Sequence, residues 1–245
     1  MSFDPVTLTG RPDGARLVLS CEHASAAVPA EYANLGLGAD ELADHIGWDI
    51  GAAAVVTALS RGLGAPAVLS AASRLLVDCN RDVGDADLMP HISHETAIPG
   101  NASIAPVERA TRLARFYDPF HAAVDAQLAQ CPGAVLLSVH SFTPSLHGTE
   151  RGFDIGVLFE EFADVARAFA DRIASSGFSV RLNEPYSGLD GLIYSARLHG
   201  RRHGRLYLEL EINNRLLDRD VEAGALAGRL AAAVSWLARV PSTTR

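Results

Sequence analysis

Chemically capable side chains gather where three apolar runs of this sequence end. Residues 16–21, Arg-Leu-Val-Leu-Ser-Cys, lead into Glu22 and His23; residues 134–140 end in His140, followed by Ser141; residues 206–211 end in Glu209 and Glu211. Between the first two runs lie His45 and Asp49, four residues apart and so on one face of a predicted helix. Two imidazoles, a carboxylate and an open fourth position are the ligand set of a catalytic zinc. A further carboxylate outside that set can serve as general base. Taken singly, a histidine at a strand end is a hydrogen-bonded structural group and a carboxylate there is a partner for arginine. The agreement of three strand ends is what raises metal-assisted hydrolysis above that background, since the chain has no compact HExxH.

A second constellation is Ser73-Arg-Leu-Leu-Val-Asp-Cys-Asn-Arg81. The planar fork of Arg74 or Arg81 can grip a carboxylate with two hydrogen bonds, and Asn80 adds a directional amide. Arg151 and Asp154 flank a glycine-rich stretch, and Asn183-Glu-Pro-Tyr-Ser-Gly188 is a turn-rich loop; each could line a pocket or simply turn the chain. His121, in Tyr117-Asp-Pro-Phe-His121, suits a helix face in the core, and His91, His94, His199 and His203 show no partner pattern. Ser141 lacks the Gly-x-Ser-x-Gly elbow of a serine hydrolase.

The elements that must position these groups alternate between strand and helix. Apolar runs predict strands at 16–21, 66–70, 75–79, 134–140, 155–159, 179–182 and 206–211, and helical spacing predicts helices over 40–61, 107–130, 161–176 and 218–240. Such alternation implies a single α/β domain over residues 1–245, a mostly parallel twisted sheet with helices on both faces. Parallel strands bring their carboxyl ends to one edge, where ligands of such sheets bind. Residues 80–106 have no period, and a loop that long inside a domain is often functional.

Composition removes other classes of function. All 21 basic side chains among the 245 residues are arginines, which excludes a Schiff-base lysine, a pyridoxal-phosphate anchor and a P-loop lysine. The formal net charge of −8 would repel a nucleic acid. Cys21, Cys79 and Cys131 are odd in number without a CxxC pair, as expected of buried free thiols in an intracellular protein. The opening Met-Ser-Phe-Asp-Pro does not resemble a signal peptide, and no apolar stretch is long enough to span a bilayer. A cytoplasmic protein is expected.

The residues also occur as an ordered series: Glu22-His-Ala-Ser25 with Val28-Pro29, His45-Ile-Gly-Trp-Asp-Ile-Gly51, Ser73-Arg-Leu with Asp78-Cys-Asn-Arg81, Pro99-Gly-Asn101, His140-Ser-Phe-Thr-Pro144, Asp154-Ile-Gly-Val-Leu158, Asn183-Glu-Pro-Tyr186 and Glu211-Ile-Asn-Asn214. In this order they resemble the N-formylglutamate amidohydrolase family, from about residue 16 to residue 217. The resemblance implies a zinc-dependent exopeptidase-like (phosphorylase/hydrolase-like) fold. It also implies hydrolysis of a carbon–nitrogen amide bond other than a peptide bond, with N-formyl-L-glutamate giving formate and L-glutamate in one route of histidine degradation. By position, His23 and His140 would be ligands of Zn2+ or another divalent metal with Asp49 as the third, and Glu22 would lie behind them or replace Asp49. Glu211 would be the general base, Arg74, Asn80 and Arg81 would hold the substrate carboxylate, and Asn101, Ser141 and Arg151 would complete the substrate contacts, with Arg81 also assisting catalysis. Around Ser93-His-Glu-Thr96 the chain departs from the Ser-Asp-Gly-Thr of the family. The expected partner is a small acidic N-acyl amino acid bound by a monomer or homodimer. Alternatives are an amidase on another N-acyl amino acid or a peptidoglycan amide, and a ligand-binding relative without catalysis.

Overall fold

Three central strands divide their side chains between two unlike faces. They are β2 (Leu17–Cys21), β4 (Val135–Phe142) and β7 (Tyr207–Asn213). On one face Leu17, Leu19, Cys21, Val135, Leu137, Val139, Leu208, Leu210 and Ile212 pack under helices α2 (Ala52–Leu63), α5 (Ala163–Ala174) and α7 (Asp220–Leu237). Each such leucine, isoleucine or valine contributes roughly 1.5–3 kcal/mol by leaving water. The other face begins apolar, with Val18, Leu136 and Tyr207 against α4 (Asp118–Gln130) and α6 (Tyr194–His203), and turns polar toward the strand ends. By the two-residue period of a strand, Ser20, Glu22, Ser138, His140, Glu209 and Glu211 share this second face, and all are buried. The computed structural model describes residues 3–217 and 220–241, so Asp218 of the predicted last helix lies outside the described residues.

The seven-stranded sheet has the order β1-β3-β2-β4-β7-β5-β6, with β1 at Val6–Thr9, β3 at Ala67–Ser70, β5 at Ile155–Leu158 and β6 at Val180–Leu182. It is mixed, with four parallel pairings and two antiparallel ones. Strands β3, β2, β4 and β7 run parallel, whereas β1 runs against β3 and β5 against β7. Connections explain the reversals. No helix joins β1 to β2 or β4 to β5, so the chain returns from the end it has just reached and runs the opposite way. The centre keeps the parallel arrangement that brings Glu22-His23, His140 and Glu209/Glu211 to one edge.

Two expectations are corrected. Residues 40–61 are not one helix: α1 (Ala39–Ala43) and α2 are separated by a turn over 44–51. A Cβ on Gly47 would lie 2.2 Å from the Leu42 carbonyl oxygen, and Gly51, at φ +81°, would meet Leu217 at 2.5 Å, so the turn needs both glycines. Residues 75–79 are turns rather than a strand. Leu75, Leu76, Val77 and Cys79 are apolar because they are buried, a signal that does not by itself separate strand from packed turn. Strand β1 and helix α6 carry too weak a period to be read in advance. Helix 107–130 is found as α3 (Pro106–Arg112), a π-helical turn (Leu113–Tyr117) and α4 in continuous succession.

Candidate metal centre

The 44–51 turn delivers Asp49 to the strand ends. Its amide donates to the His23 carbonyl (2.9 Å), Ser141 Oγ donates to the Ile50 carbonyl (2.8 Å), and Ser73 Oγ donates to the Gly47 carbonyl (2.8 Å). The Ser141 amide donates to Asp49 Oδ2 at 3.2 Å. Asp49 Oδ2 then lies 2.8 Å from His140 Nδ1 and 3.4 Å from His23 Nδ1, and the two Nδ1 atoms are 3.1 Å apart. Asp49 thus reaches the site through a glycine-bounded turn rather than a helical face shared with His45. His45 Nδ1 instead pairs with Asp44 Oδ1 at 2.9 Å.

The far side of each imidazole fixes its proton. His23 Nε2 donates to Asp78 Oδ1 at 2.7 Å and His140 Nε2 to Glu22 Oε2 at 3.0 Å. On the opposite side both Nδ1 atoms and an Asp49 carboxylate oxygen converge, and a neutral ring with its proton on Nε2 would offer its Nδ1 lone pair there. That set of donors fits a divalent cation, and carboxylates behind the ligand histidines would orient both rings. His23, Asp49 and His140 are all buried, and their ligand atoms lie within 4.8 Å of one another. Hydrogen bonds from His140 and Ser138 overcome the upward push of burial and hold Glu22 at about 2. Burial by itself would also raise Asp49, but the two histidines keep it well below the usual carboxylate range.

The triad lies in the wall of a cavity of about 370 Å³. Glu211 lines it beside His140, to which it is registered across the β4–β7 ladder, and its Oε2 is buried with no hydrogen-bond partner among the described residues. Burial raises the Glu211 carboxyl and the Asp49 charge raises it further, against the opposing charge of His140. Glu209 is raised by burial as well and accepts from Asn80 Nδ2 at 3.3 Å.

The remaining expected substrate contacts divide. Arg81 and Ser141 line the cavity, and Arg81 has only a long ion pair with Asp85, at 3.5 Å. Arg74 lines it too, but its guanidinium is committed to Asp78 (2.9 Å) and Asp49 (3.4 Å). Asn80 bridges Glu209 to the Ser195 amide, which spends its side chain on structure. Asn101 is corrected: it is buried and outside the cavity lining, donating to the Leu75 and Pro90 carbonyls and accepting from Arg112. Arg151 stands behind the lining, over the Tyr186 ring at 5.2 Å, with no carboxylate partner among the described residues. Sequence reasoning missed Asp78 as the support of His23. Its signal was a carboxylate closing an apolar run four residues after Arg74.

The family follows from comparison with known proteins. Residues 15–217 match the N-formylglutamate amidohydrolase family. The chain belongs to that family. A gene product of Agrobacterium tumefaciens, Atu2144, is 35% identical, with 96% of each chain covered and a TM-score of 0.89. The N-formylglutamate amidohydrolase of Ralstonia eutropha shares the fold at 19% identity, with 96% of this chain and 97% of that chain covered and a TM-score of 0.64. A bacteriophage poly-gamma-glutamate hydrolase shares it at 10% identity and a TM-score of 0.50, covering 96% of this chain and 91% of that one. No curated protein sequence matches. The family match spans the whole of the metal centre, from Glu22-His23 to Glu211.

Proposed function

We propose that this chain is a metal-dependent amidohydrolase that cleaves the amide bond of a small N-acyl amino acid, with N-formyl-L-glutamate to formate and L-glutamate as the reference reaction. The observation that carries this reading is the convergence of the His23, Asp49 and His140 ligand atoms within 4.8 Å of one another, beside a buried carboxyl whose Oε2 has no partner among the described residues. His23, His140 and Asp49 would hold Zn2+ or another divalent metal. Bound there, it would supply Lewis acidity toward water and the acyl carbonyl.

The chain's own groups do the rest. Glu211, raised by burial, can hold a proton near neutrality and pass it to the departing nitrogen. Glu22 and Asp78 keep both imidazoles aimed and in one tautomer. Arg81 lines the cavity with guanidinium capacity left for the substrate carboxylate, whereas Arg74 serves mainly to hold Asp49 and Asp78 in place. Convergence of ligands at parallel strand ends also supports a zinc-exopeptidase-like relationship for the fold. Three buried cysteines without disulfides fit a cytoplasmic location, and no described helix is long and apolar enough to cross a membrane.

The test is elemental analysis of the purified protein followed by a panel of N-formyl and N-acetyl amino acids. About one divalent metal per chain is expected, with release of formate from formylglutamate that chelation stops. Metal-loaded protein that hydrolyses none of the panel would overturn the reading.

A further inference from the structure

Two short hairpins border the cavity. One pairs Ile92–Ser93 with Thr96–Ala97 and the other pairs Ser145–Leu146 with Thr149–Glu150, each through a two-residue turn. Both turns hold their central residues at positive φ: His94 and Glu95 at 45° and 69°, His147 and Gly148 at 48° and 76°. Asn-Gly or Asp-Gly suits such turns; His-Glu places two residues with side chains in a region that costs them free energy. The strained histidines meet. The rings of His94 and His147 stack at 6.0 Å and 24°, and His45 stands edge-on to His94 at 4.8 Å. Burial, with Arg74 and Arg151 nearby, disfavours the charged form of His94.

The hairpins also bring apolar side chains to the cavity lining. Ile92 and Leu146, one from each hairpin, line the cavity together with Phe142 and Leu192. Ile92 is 54% exposed, an aliphatic side chain open to the cavity. A formyl group is a single carbon and a glutamate side chain ends in a charge, so formylglutamate offers this wall little hydrocarbon. A cavity of about 370 Å³ is also of a size that encloses considerably larger ligands.

We propose that this apolar wall is a hydrocarbon subsite. The preferred substrate carries, besides its carboxylate, an apolar group of about four or more carbons, on its acyl group or on its amino-acid side chain. His147 is a positioning residue that acts through His94. This inference rests on the amidohydrolase reading above and specifies its substrate.

The experiment measures kcat and KM for N-formyl-L-glutamate, N-formyl-L-leucine and N-hexanoyl-L-glutamate. It uses metal-loaded wild type, His147→Ala and His147→Phe, with thermal melts to establish that each variant folds. Wild type is expected to favour one hydrocarbon-bearing substrate by about tenfold in kcat/KM, and which one identifies the side of the amide that meets the wall. His147→Ala should lose that preference through KM, leaving formylglutamate turnover unchanged within about twofold, while His147→Phe restores the stack and the preference. Hydrolysis with formylglutamate preferred, or a His147→Ala effect equal on all substrates, overturns the subsite but not the amidohydrolase. Hydrolysis of none overturns both.

Discussion

At the scale of single residues, the informative feature is which polar atoms of the centre are paired. Each histidine sets Nε2 against a carboxylate, Asp78 or Glu22, and turns Nδ1 toward Asp49. Glu211 is the opposite case, a buried carboxyl whose charged form is disfavoured and whose Oε2 has no partner among the described residues. Replacing it with glutamine keeps the volume and removes the proton-carrying capacity. Glu211→Gln should retain its metal by elemental analysis and lose kcat by about 10²–10⁴-fold; undiminished turnover would remove Glu211 from the mechanism. Residue type and position put His23, His140, Asp49 and Glu211 among the candidates beside His45 and Glu209, and the family resemblance singled these four out. Arg74 and Asn80 were equally legible as site residues, but their partners, known only in three dimensions, give them structural duties.

Among the elements, agreement between sequence and structure depends on what the apolar pattern reports. Strands β2, β4 and β7 were predicted because an apolar run buried on both faces is short and ends abruptly in polar residues. The same signal failed at 75–79, where burial comes from packed turns, and at 44–51, where glycines break a helical period so that Asp49 can turn inward. The 92–97 hairpin was hidden for a different reason: His-Glu is not a pair that announces a two-residue turn. Its strain is measurable. Glu95→Gly keeps the His94 ring and relieves the φ of +69°, so thermal denaturation should show stabilisation of about 1 kcal/mol, or about 2–4 °C at this chain length. An unchanged or lower melting temperature would mean that the turn is not strained.

For the whole molecule, buried polar groups are not confined to the metal centre. Helices α4 and α6, which cover the second face of the sheet, meet through a chain in which His121 Nδ1 donates to His199 Nε2 (2.8 Å) and His199 Nδ1 donates to Asp125 Oδ1 (2.7 Å). Burial, reinforced by His199, pushes His121 down to about 3. Unfolded histidine titrates near 6.5, so between roughly pH 6.5 and pH 3 the unfolded chain binds a proton that the folded chain refuses. The stability contributed by neutral His121 is therefore complete above pH 6.5 and is lost as pH falls through that window. Urea unfolding at pH 7 and pH 5 should show His121→Phe losing about 2 kcal/mol less than wild type over the same step; equal losses would show that His121 does not drive acid sensitivity.

By itself the sequence determined the alternation of strands and helices, the edge at which the site forms, and the residues that converge there. These follow from local periodicity and from side-chain chemistry that does not depend on partners. Only the tertiary structure decided the mixed strand directions, the turn that delivers Asp49, the support of His23 by Asp78, the withdrawal of Asn101 and the meeting of His94 with His147. Each of those is a pairing between distant segments, and a pairing is a property of distance, which one-dimensional order does not contain.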